Sequence, residues 1–400
     1  MAFCWLVLLL GQLGGYLRFE AYVQTRDPYT LQKLATTFQS RLDLEGDRVH
    51  GYGAFNVIFD ALGSQTVLRP IEGYITASLG PVDLTVGKKI LTWGEGVFVS
   101  PSDVVTPWNF TFLYTDLEEF REGLETVSLT YYHGPLWVQA AVLPLFHANQ
   151  YPLAPMVLPS PIPIVVRPDT QVVPSASLKN SGGLLRLGGT LGPVDFQAFV
   201  YRGYDRDFNL RGQWDFNALS LFPVYHRTTF YGGNGVWIHG RQAFHLDFAY
   251  REEPRASSED LVKGAQAYGL VGMETTRWDD RLSVGVDLVY RRTWPSETTA
   301  EGMQGDLARS LFFEEPDGNW SVAYRLQWQD ARDLWNLQVM GIYDLTHGEA
   351  FTLPTLHYSL ADGVHLRLGA LLSGTRGKSP FTQMGKHLGN LAFTEVRWSF

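Results

Sequence analysis

Carboxylates and aromatic residues are interleaved along the segment from Trp93 to Gly123. The charged side chains of interest are Glu95, Asp103, Asp116, Glu118, Glu119 and Arg121. Carboxylates that line a narrow water path attract cations. A disordered segment does not carry so many aromatic residues. If the surrounding elements enclose a channel, we expect segment 94–123 to fold inward as a cation-favouring constriction. The alternative is an external loop packed over the rim.

Signals for catalysis or for metal and nucleotide binding are weaker in this sequence. His245 and Asp247 lie two residues apart and therefore on one face of a strand, as two members of a hydrolase site would. A G-x-S-x-G motif does not accompany them, and a cross-strand pair is the commoner cause of such spacing. Metal-ligand clusters and nucleotide-binding fingerprints are also lacking. The sequence therefore predicts no catalytic residue, cofactor or metal, and an enzyme is the weaker alternative.

Composition narrows the class of protein. Charged residues make up 18% of the 400-residue chain, against about 25% in an average soluble domain, and aromatic residues make up 14%. Mean hydropathy is −0.09, and after the first residues no apolar run approaches the roughly 20 residues of a spanning helix. The net charge of −9 comes without a basic cluster. We therefore predict neither a helical membrane protein nor a nucleic-acid partner.

The N-terminus resembles a secretion signal. An apolar run covers residues 2–10, the length of the hydrophobic region of a signal peptide. We predict a signal peptide over residues 1–15 and a single domain over 16–400. The only cysteine, Cys4, lies inside the predicted signal, so the exported chain would contain no thiol.

From Tyr16 onward, segments of about 10 to 13 residues alternate apolar and polar side chains, with a period of two. In residues 282–290, Leu, Val, Val, Leu and Tyr share one face. Eight short turns alternate with nine longer loops, which gives 18 strands. The predicted turns lie at 46–47, 80–81, 134–135, 192–193, 240–241, 279–280, 330–333 and 362–363. The predicted loops lie at 27–34, 61–69, 94–123, 147–180, 205–226, 253–263, 293–317, 346–349 and 375–387.

This alternation distinguishes three all-β architectures. Sandwich strands are usually about 5 to 6 residues long, and their loops do not alternate in length. A propeller requires a repeat of roughly 40 to 50 residues, which is lacking. Eleven residues at about 3.3 Å each, tilted by about 40°, rise roughly 28 Å and cross an outer membrane. We predict an antiparallel up-and-down transmembrane β-barrel of about 18 strands in a bacterial outer membrane. Its short turns would be periplasmic and its long loops extracellular.

With the apolar face towards lipid, many charged residues must face the lumen. The inward candidates are Arg18, Glu20, Lys89, Asp195, His245, Asp247, Arg251, Asp287, Arg291, Arg325, Arg367, Glu395 and Arg397. For each of them, pairing across strands is the simpler alternative to solute contact. An 18-stranded wall leaves a wet lumen unless a loop enters it. The sequence thus favours a channel for small hydrophilic solutes. A transporter of apolar small molecules is an alternative.

Two features concern assembly. The final strand places Val396, Trp398 and Phe400 on one face, an ending similar to the C-terminal signal that barrel-assembly machinery recognises in bacterial outer-membrane proteins. We expect this strand to pair with the first strand and close the barrel. Outer-membrane lipid, the assembly machinery and small solutes are the predicted partners. A homo-oligomer is also considered.

Two loops give further information, one on the family and one on local structure. GKKILTWGEG and the following PSDVVTPWN resemble the Trp-Gly-Glu and Asp-Val-x-x-Pro signatures of a family of bacterial outer-membrane porin-like proteins. The matching positions are Gly87, Trp93, Gly94, Glu95, Asp103, Val104 and Pro107. The resemblance implies a β-barrel in the outer membrane. Loop 147–180 is rich in proline, which predicts extended chain without regular strand or helix.

Overall fold

A computed structural model describes residues 11–25, 30–111, 116–151, 156–158, 164–167, 170–215, 218–255, 260–296, 317–374 and 390–400. Within these ranges, eighteen strands form one antiparallel sheet. They are β1 (Gly11–Gln24), β2 (Thr30–Glu45), β3 (Val49–Asp60), β4 (Gln65–Leu79), β5 (Val82–Lys89), β6 (Leu124–His133), β7 (Leu136–Leu143), β8 (Gly182–Leu191), β9 (Val194–Tyr204), β10 (Arg227–His239), β11 (Gln242–Arg251), β12 (Gln266–Arg277), β13 (Leu282–Thr293), β14 (Asn319–Gln329), β15 (Trp335–Asp344), β16 (Glu349–Ala361), β17 (Val364–Ser373) and β18 (Leu391–Ser399).

The sheet closes on itself. Each strand pairs with its neighbour in sequence, and β18 pairs with β1 from Tyr16↔Ser399 to Gln24↔Leu391. Phe400 and Gly15 exchange backbone hydrogen bonds of 3.0 and 3.1 Å. Short turns connect the strands at one end and longer loops at the other, which confirms the predicted barrel.

The two faces of the wall have opposite character. On β11, Leu246 and Phe248 are about half exposed, whereas His245 and Asp247 are buried. Two outward aromatic girdles bound the apolar band, as in outer-membrane barrels. Trp237, Trp328, Trp335 and Trp398 lie near the short turns, and Tyr231, Tyr250, Tyr290 and Trp320 lie near the loops. The exposed apolar face is therefore the lipid-facing face.

Two predictions about local structure differ from the result. Strand β1 begins at Gly11, so residues 11–15 of the predicted signal are part of the wall, while residues 1–10 lie outside the described residues. The proline-rich loop contains two short strands, contrary to the sequence argument. They belong to a five-stranded sheet at the loop end, built from Met156–Leu158, Ile164–Val166, Asn209–Asp215, Ala218–Val224 and Asp260–Leu261. The strand Ile164–Val166 forms because it pairs with Ala218–Val224 of another loop, although the local sequence does not favour a strand.

No helix within the described ranges is long and apolar enough to cross a membrane.

Candidate functional site

The segment between β5 and β6, described over residues 90–111 and 116–123, is held against inward-facing side chains of the wall. The Ser102 backbone N–H donates to Asp247 Oδ1 at 3.0 Å, and its hydroxyl donates to Asp247 Oδ2 at 3.1 Å. Asn234 Nδ2 donates to the same hydroxyl at 3.1 Å. The Val97 N–H donates to Asp287 Oδ2 at 2.8 Å, and His245 Nε2 contacts Asp287 Oδ1 at 2.5 Å. We call residues 90–111 and 116–123 the inner loop.

Glycine allows the inner loop to approach the wall closely. Gly94 has φ +92°, and a Cβ atom there would lie 2.3 Å from Asp247 Oδ2 and 2.5 Å from Ser100 Cβ. An L side chain would be strained by this backbone and would also have no room. The Thr106 hydroxyl closes the first part of the loop, because it donates to the Leu91 carbonyl at 2.6 Å and accepts from the Leu91 N–H at 3.1 Å.

Aromatic packing fixes the beginning of the inner loop. The Trp93 ring is buried 4.9 Å from the Phe199 ring of β9, and the Arg186 guanidinium of β8 lies 4.6 Å from the Trp93 ring centroid. Val105 is fully buried, and Arg206 Nε donates to its carbonyl at 2.9 Å. This half of the loop therefore packs on β8 to β13.

The end of the inner loop reaches the opposite side of the barrel. Residues 117–120 form a 3-10 turn capped by Asp116, whose carboxylate accepts from the Glu118 N–H. Arg18 of β1 contacts both Glu119 carboxylate oxygens, at 2.5 and 2.7 Å. Although burial alone would raise the pKa of Glu119, the Arg18 guanidinium lowers it below its usual value. The loop thus spans the lumen from the β8–β13 wall to β1.

A third cluster of charges lies within the inner loop. Arg121 contacts Asp103 Oδ2 through Nε at 3.0 Å and Nη2 at 2.7 Å, and it also contacts Glu118. Its guanidinium lies 4.7 Å from the Trp108 ring centroid. Burial raises the pKa of Asp103 to about 6, against the opposing effect of Arg121. Asp103 therefore changes charge near pH 6.

A cavity of about 600 Å³ remains between the inner loop and the wall formed by β12 and β14 to β17. The loop contributes Asp103, Asp116, Glu118 and Arg121, and the wall contributes Arg325, Gln338, Thr355, His357 and Arg367. Apolar groups such as Phe98, Met340 and Leu353 share the lining. Three carboxylates and three guanidinium groups thus face this cavity.

The predicted constriction residues have different environments. Glu95 is exposed and Glu118 has a side chain that is 69% exposed, whereas Asp103 and Glu119 are largely buried. Three of the five carboxylates, Asp103, Glu118 and Glu119, contact an arginine. The arginines offset part of the negative charge. The inner loop should therefore favour cations less than its number of acidic residues would suggest.

The predicted lumen residues lie on the inward face of their strands. Several are joined in pairs, including Arg18–Glu20 at 3.5 Å and Arg367–Glu395 at 4.0 Å. Others bind groups outside the predicted set: Arg251 with Asp205, Arg325 with Glu274, Lys89 with the Tyr74 ring, Arg397 with the Tyr16 ring and Asp195 with Thr190. Arg291 lies on β13 opposite Tyr268 of β12.

Sequence reasoning missed several residues of the site. Arg69, whose guanidinium binds Glu122 and the Glu119 and Arg121 carbonyls, was assigned to loop 61–69, but β4 already begins at Gln65. A one-residue bulge opposite Ala54 and Phe55 breaks the alternation there. Asn234 lies on an inward position of β10, which strict alternation identifies. Ser102 has no signal in the sequence.

Across the described part of the chain, no group of three or more His, Cys, Asp and Glu side chains is arranged to bind a metal ion.

No protein-family profile and no curated protein matches the chain. Several solved structures match it in fold. OpdK, an outer membrane protein from Pseudomonas aeruginosa, has a TM-score of 0.55 at 10% identity, over 97% of this chain and 99% of that chain. OccAB2 from Acinetobacter baumannii has a TM-score of 0.54 at 11% identity, over 98% of both chains. The trimer form of OmpT, an outer membrane protein of Vibrio cholerae, has a TM-score of 0.50 at 12% identity, over 98% of this chain and 99% of that chain.

At these identities the similarity shows a shared fold. The closed 18-stranded wall and these matches define the fold of a bacterial outer-membrane β-barrel. The chain is therefore a protein of the outer membrane.

Proposed function

We propose that the protein is a diffusion channel for small hydrophilic solutes, whose water path passes between the inner loop and β14 to β17. The observation that carries this proposal is the cavity of about 600 Å³, which is bounded by loop residues on one side and wall residues on the other. A path of this size admits small solutes and excludes folded proteins. The inner loop is then the constriction.

The charges around the cavity indicate the selectivity of the proposed channel. Asp103 and Glu118 share Arg121, while Arg325 and Arg367 lie on the facing wall. Opposite charges on two sides of a path orient dipolar and zwitterionic solutes and give only a small preference between simple cations and anions. We therefore propose weak ion selectivity in place of a cation filter.

The path is tested with a cysteine at Glu118, in a background in which the only native cysteine is removed by Cys4→Ser. Glu118→Cys places a thiol in the cavity lining. Single-channel recordings in planar bilayers are expected to show discrete steps that shrink when a cationic methanethiosulfonate reagent is added. The shrinkage follows because the attached group occupies the path.

The matched control is Ala198→Cys, which lies on β9 with its side chain on the lipid face. The same reagent should leave its conductance unchanged. Absence of discrete steps in the parent protein would contradict a diffusion channel. Unchanged steps after labelling of Glu118→Cys would contradict this route for the solute.

A transporter of apolar molecules is the second candidate, because Phe98, Met340 and Leu353 also line the cavity. It requires a pocket closed to ions, so a conductance far below that of an open water path would favour it.

We propose no catalytic role for His245 and Asp247, since their contacts to Asp287 and Ser102 hold the inner loop. Two further points stay predictions. One is that residues 87–107 resemble those of porin-like proteins, and the other is that the protein forms a homo-oligomer.

A further inference from the structure

Three basic side chains lie together on the lipid side of the barrel at its loop end. Arg202 of β9 and Arg227 of β10 are both exposed, and both alternate with inward residues such as the buried Tyr201 and Thr228. Lys179 is exposed on the adjoining loop, where Arg227 Nη1 donates to its carbonyl at 2.7 Å. We call Lys179, Arg202 and Arg227 the basic rim.

The height of the basic rim relative to the membrane follows from the strand geometry. Ten residues separate Gly192, in the short turn, from Arg202, so Arg202 lies about 25 Å above that turn for a strand tilted by about 40°. The outward residues of β9 below it, at positions 194, 196, 198 and 200, are all apolar. On β10 the girdle residue Tyr231 lies one outward position below Thr229, the partner of Arg202. The basic rim therefore lies just beyond the upper girdle, at headgroup level.

The basic rim retains much of its hydrogen-bonding capacity. A guanidinium has five N–H donors. Arg202 uses one on the Thr229 hydroxyl at 3.2 Å, and Arg227 uses two, on the Lys179 and Ser181 carbonyls. Among the described residues, no carboxylate lies within 4.0 Å of the charged nitrogens of these three side chains. The Glu252 carboxylate, which belongs to the same region of the rim, accepts from the Tyr231 hydroxyl at 3.0 Å.

We propose that the basic rim binds the phosphate groups of the outer-leaflet glycolipid, lipopolysaccharide. Planar guanidinium groups bind phosphate through paired N–H donors, and a lysine adds a point charge. A lipid fits better than a free anion because the site adjoins an apolar column, and because Leu178, next to Lys179, is 85% exposed. The phosphates of this glycolipid lie between its acyl chains and its sugars, at the height of the rim. This site does not depend on the proposed channel function.

The test uses the full chain refolded in detergent and bis-phosphorylated lipid A as the probe, with binding followed by native mass spectrometry. The variant is Lys179→Gln with Arg202→Gln, which leaves Arg227 to hold the loop carbonyls. Because each basic group near an anionic lipid surface adds to the attraction, removal of two of the three should weaken binding by at least about tenfold. Unchanged gel mobility of the unheated protein verifies that the barrel is folded, whether or not it conducts ions.

Arg277→Gln is the matched control, because Arg277 is exposed and outward at the opposite, short-turn end of β12. It should leave lipid A binding unchanged. Lipid A without phosphates should bind the parent and the double variant equally weakly. The proposal is overturned if the double variant binds lipid A as the parent does, or if Arg277→Gln weakens binding as much. Displacement of lipid A by millimolar inorganic phosphate would also overturn it, since the rim would then be a free-anion site.

Discussion

Ion pairing at the inner loop determines which carboxylates could act on a solute in the proposed channel. Arg18 and Glu119 are 101 positions apart in sequence and meet across the lumen. Each was a candidate from the sequence, because each is charged on an inward face or within an acidic segment. Their pairing was not predictable, since it depends on the path of a loop whose anchor, Ser102, has no signal of its own.

Asp103 is the residue whose charge should respond to pH. Because burial raises its pKa to about 6, it is mostly ionised at pH 7.5 and mostly neutral at pH 5. Lowering the pH therefore removes one negative charge from the cavity lining. A unit charge about 6 Å away in water stabilises a cation by about 0.7 kcal/mol and destabilises an anion by about the same amount, so the cation-to-anion permeability ratio should fall roughly tenfold. Reversal potentials in a salt gradient measure this ratio.

Asp103→Asn separates Asp103 from other acidic groups, among them Asp116, whose pKa burial also raises. At pH 7.5 this variant should already have the low ratio of the parent protein at pH 5. It should also lose most of the change near pH 6. A full pH response in Asp103→Asn would assign the titration to another group.

At the scale of elements, the strands and turns were predictable because two independent patterns coincide. Period-two alternation defines each strand, and residues such as those at 134–135 and 192–193 interrupt it with glycine followed by proline. The five-stranded external sheet escaped prediction for the opposite reason. Its strands are as short as two residues, and Leu219 pairs with Ile164 from a different loop. Such order depends on contacts between loops, which no local pattern encodes.

Gly94 determines how closely the inner loop packs on the wall. Gly94→Ala should displace the loop from Asp247, because the new Cβ atom meets the carboxylate and the backbone is strained by roughly 1 to 3 kcal/mol. We expect a larger and noisier single-channel conductance. Gly53→Ala on β3 is the control, since a Cβ atom there meets no atom within 4 Å. Identical traces for the two variants would mean that the loop does not limit the current.

At the scale of the whole molecule, closure turns the last strand into part of the wall. Val396, Trp398 and Phe400 lie on its lipid side, and Phe400 stacks on Phe38 at 6.1 Å. Phe400→Ala keeps the backbone bonds to Gly15 but removes the terminal ring. We expect it to slow insertion by purified barrel-assembly machinery several-fold, with little change in spontaneous refolding. Trp320→Ala, an outward aromatic of the other girdle, is the control.

Gel mobility of the folded and unfolded forms measures both rates. A larger effect of Trp320→Ala than of Phe400→Ala on machine-assisted insertion would contradict a special role of the final residue.

The pairing of β1 with β18 also limits how early the barrel can form, before the chain reaches its membrane. Residues 16 and 399 must meet, so the cylinder cannot form until the ribosome has completed nearly the whole polypeptide. Contacts this distant in sequence form slowly. Until then, every strand exposes an apolar face and the outermost strands expose unpaired edges, the state most prone to aggregation. Before the two ends meet, the chain is therefore at its most prone to aggregate in the aqueous space that it crosses on the way to its membrane.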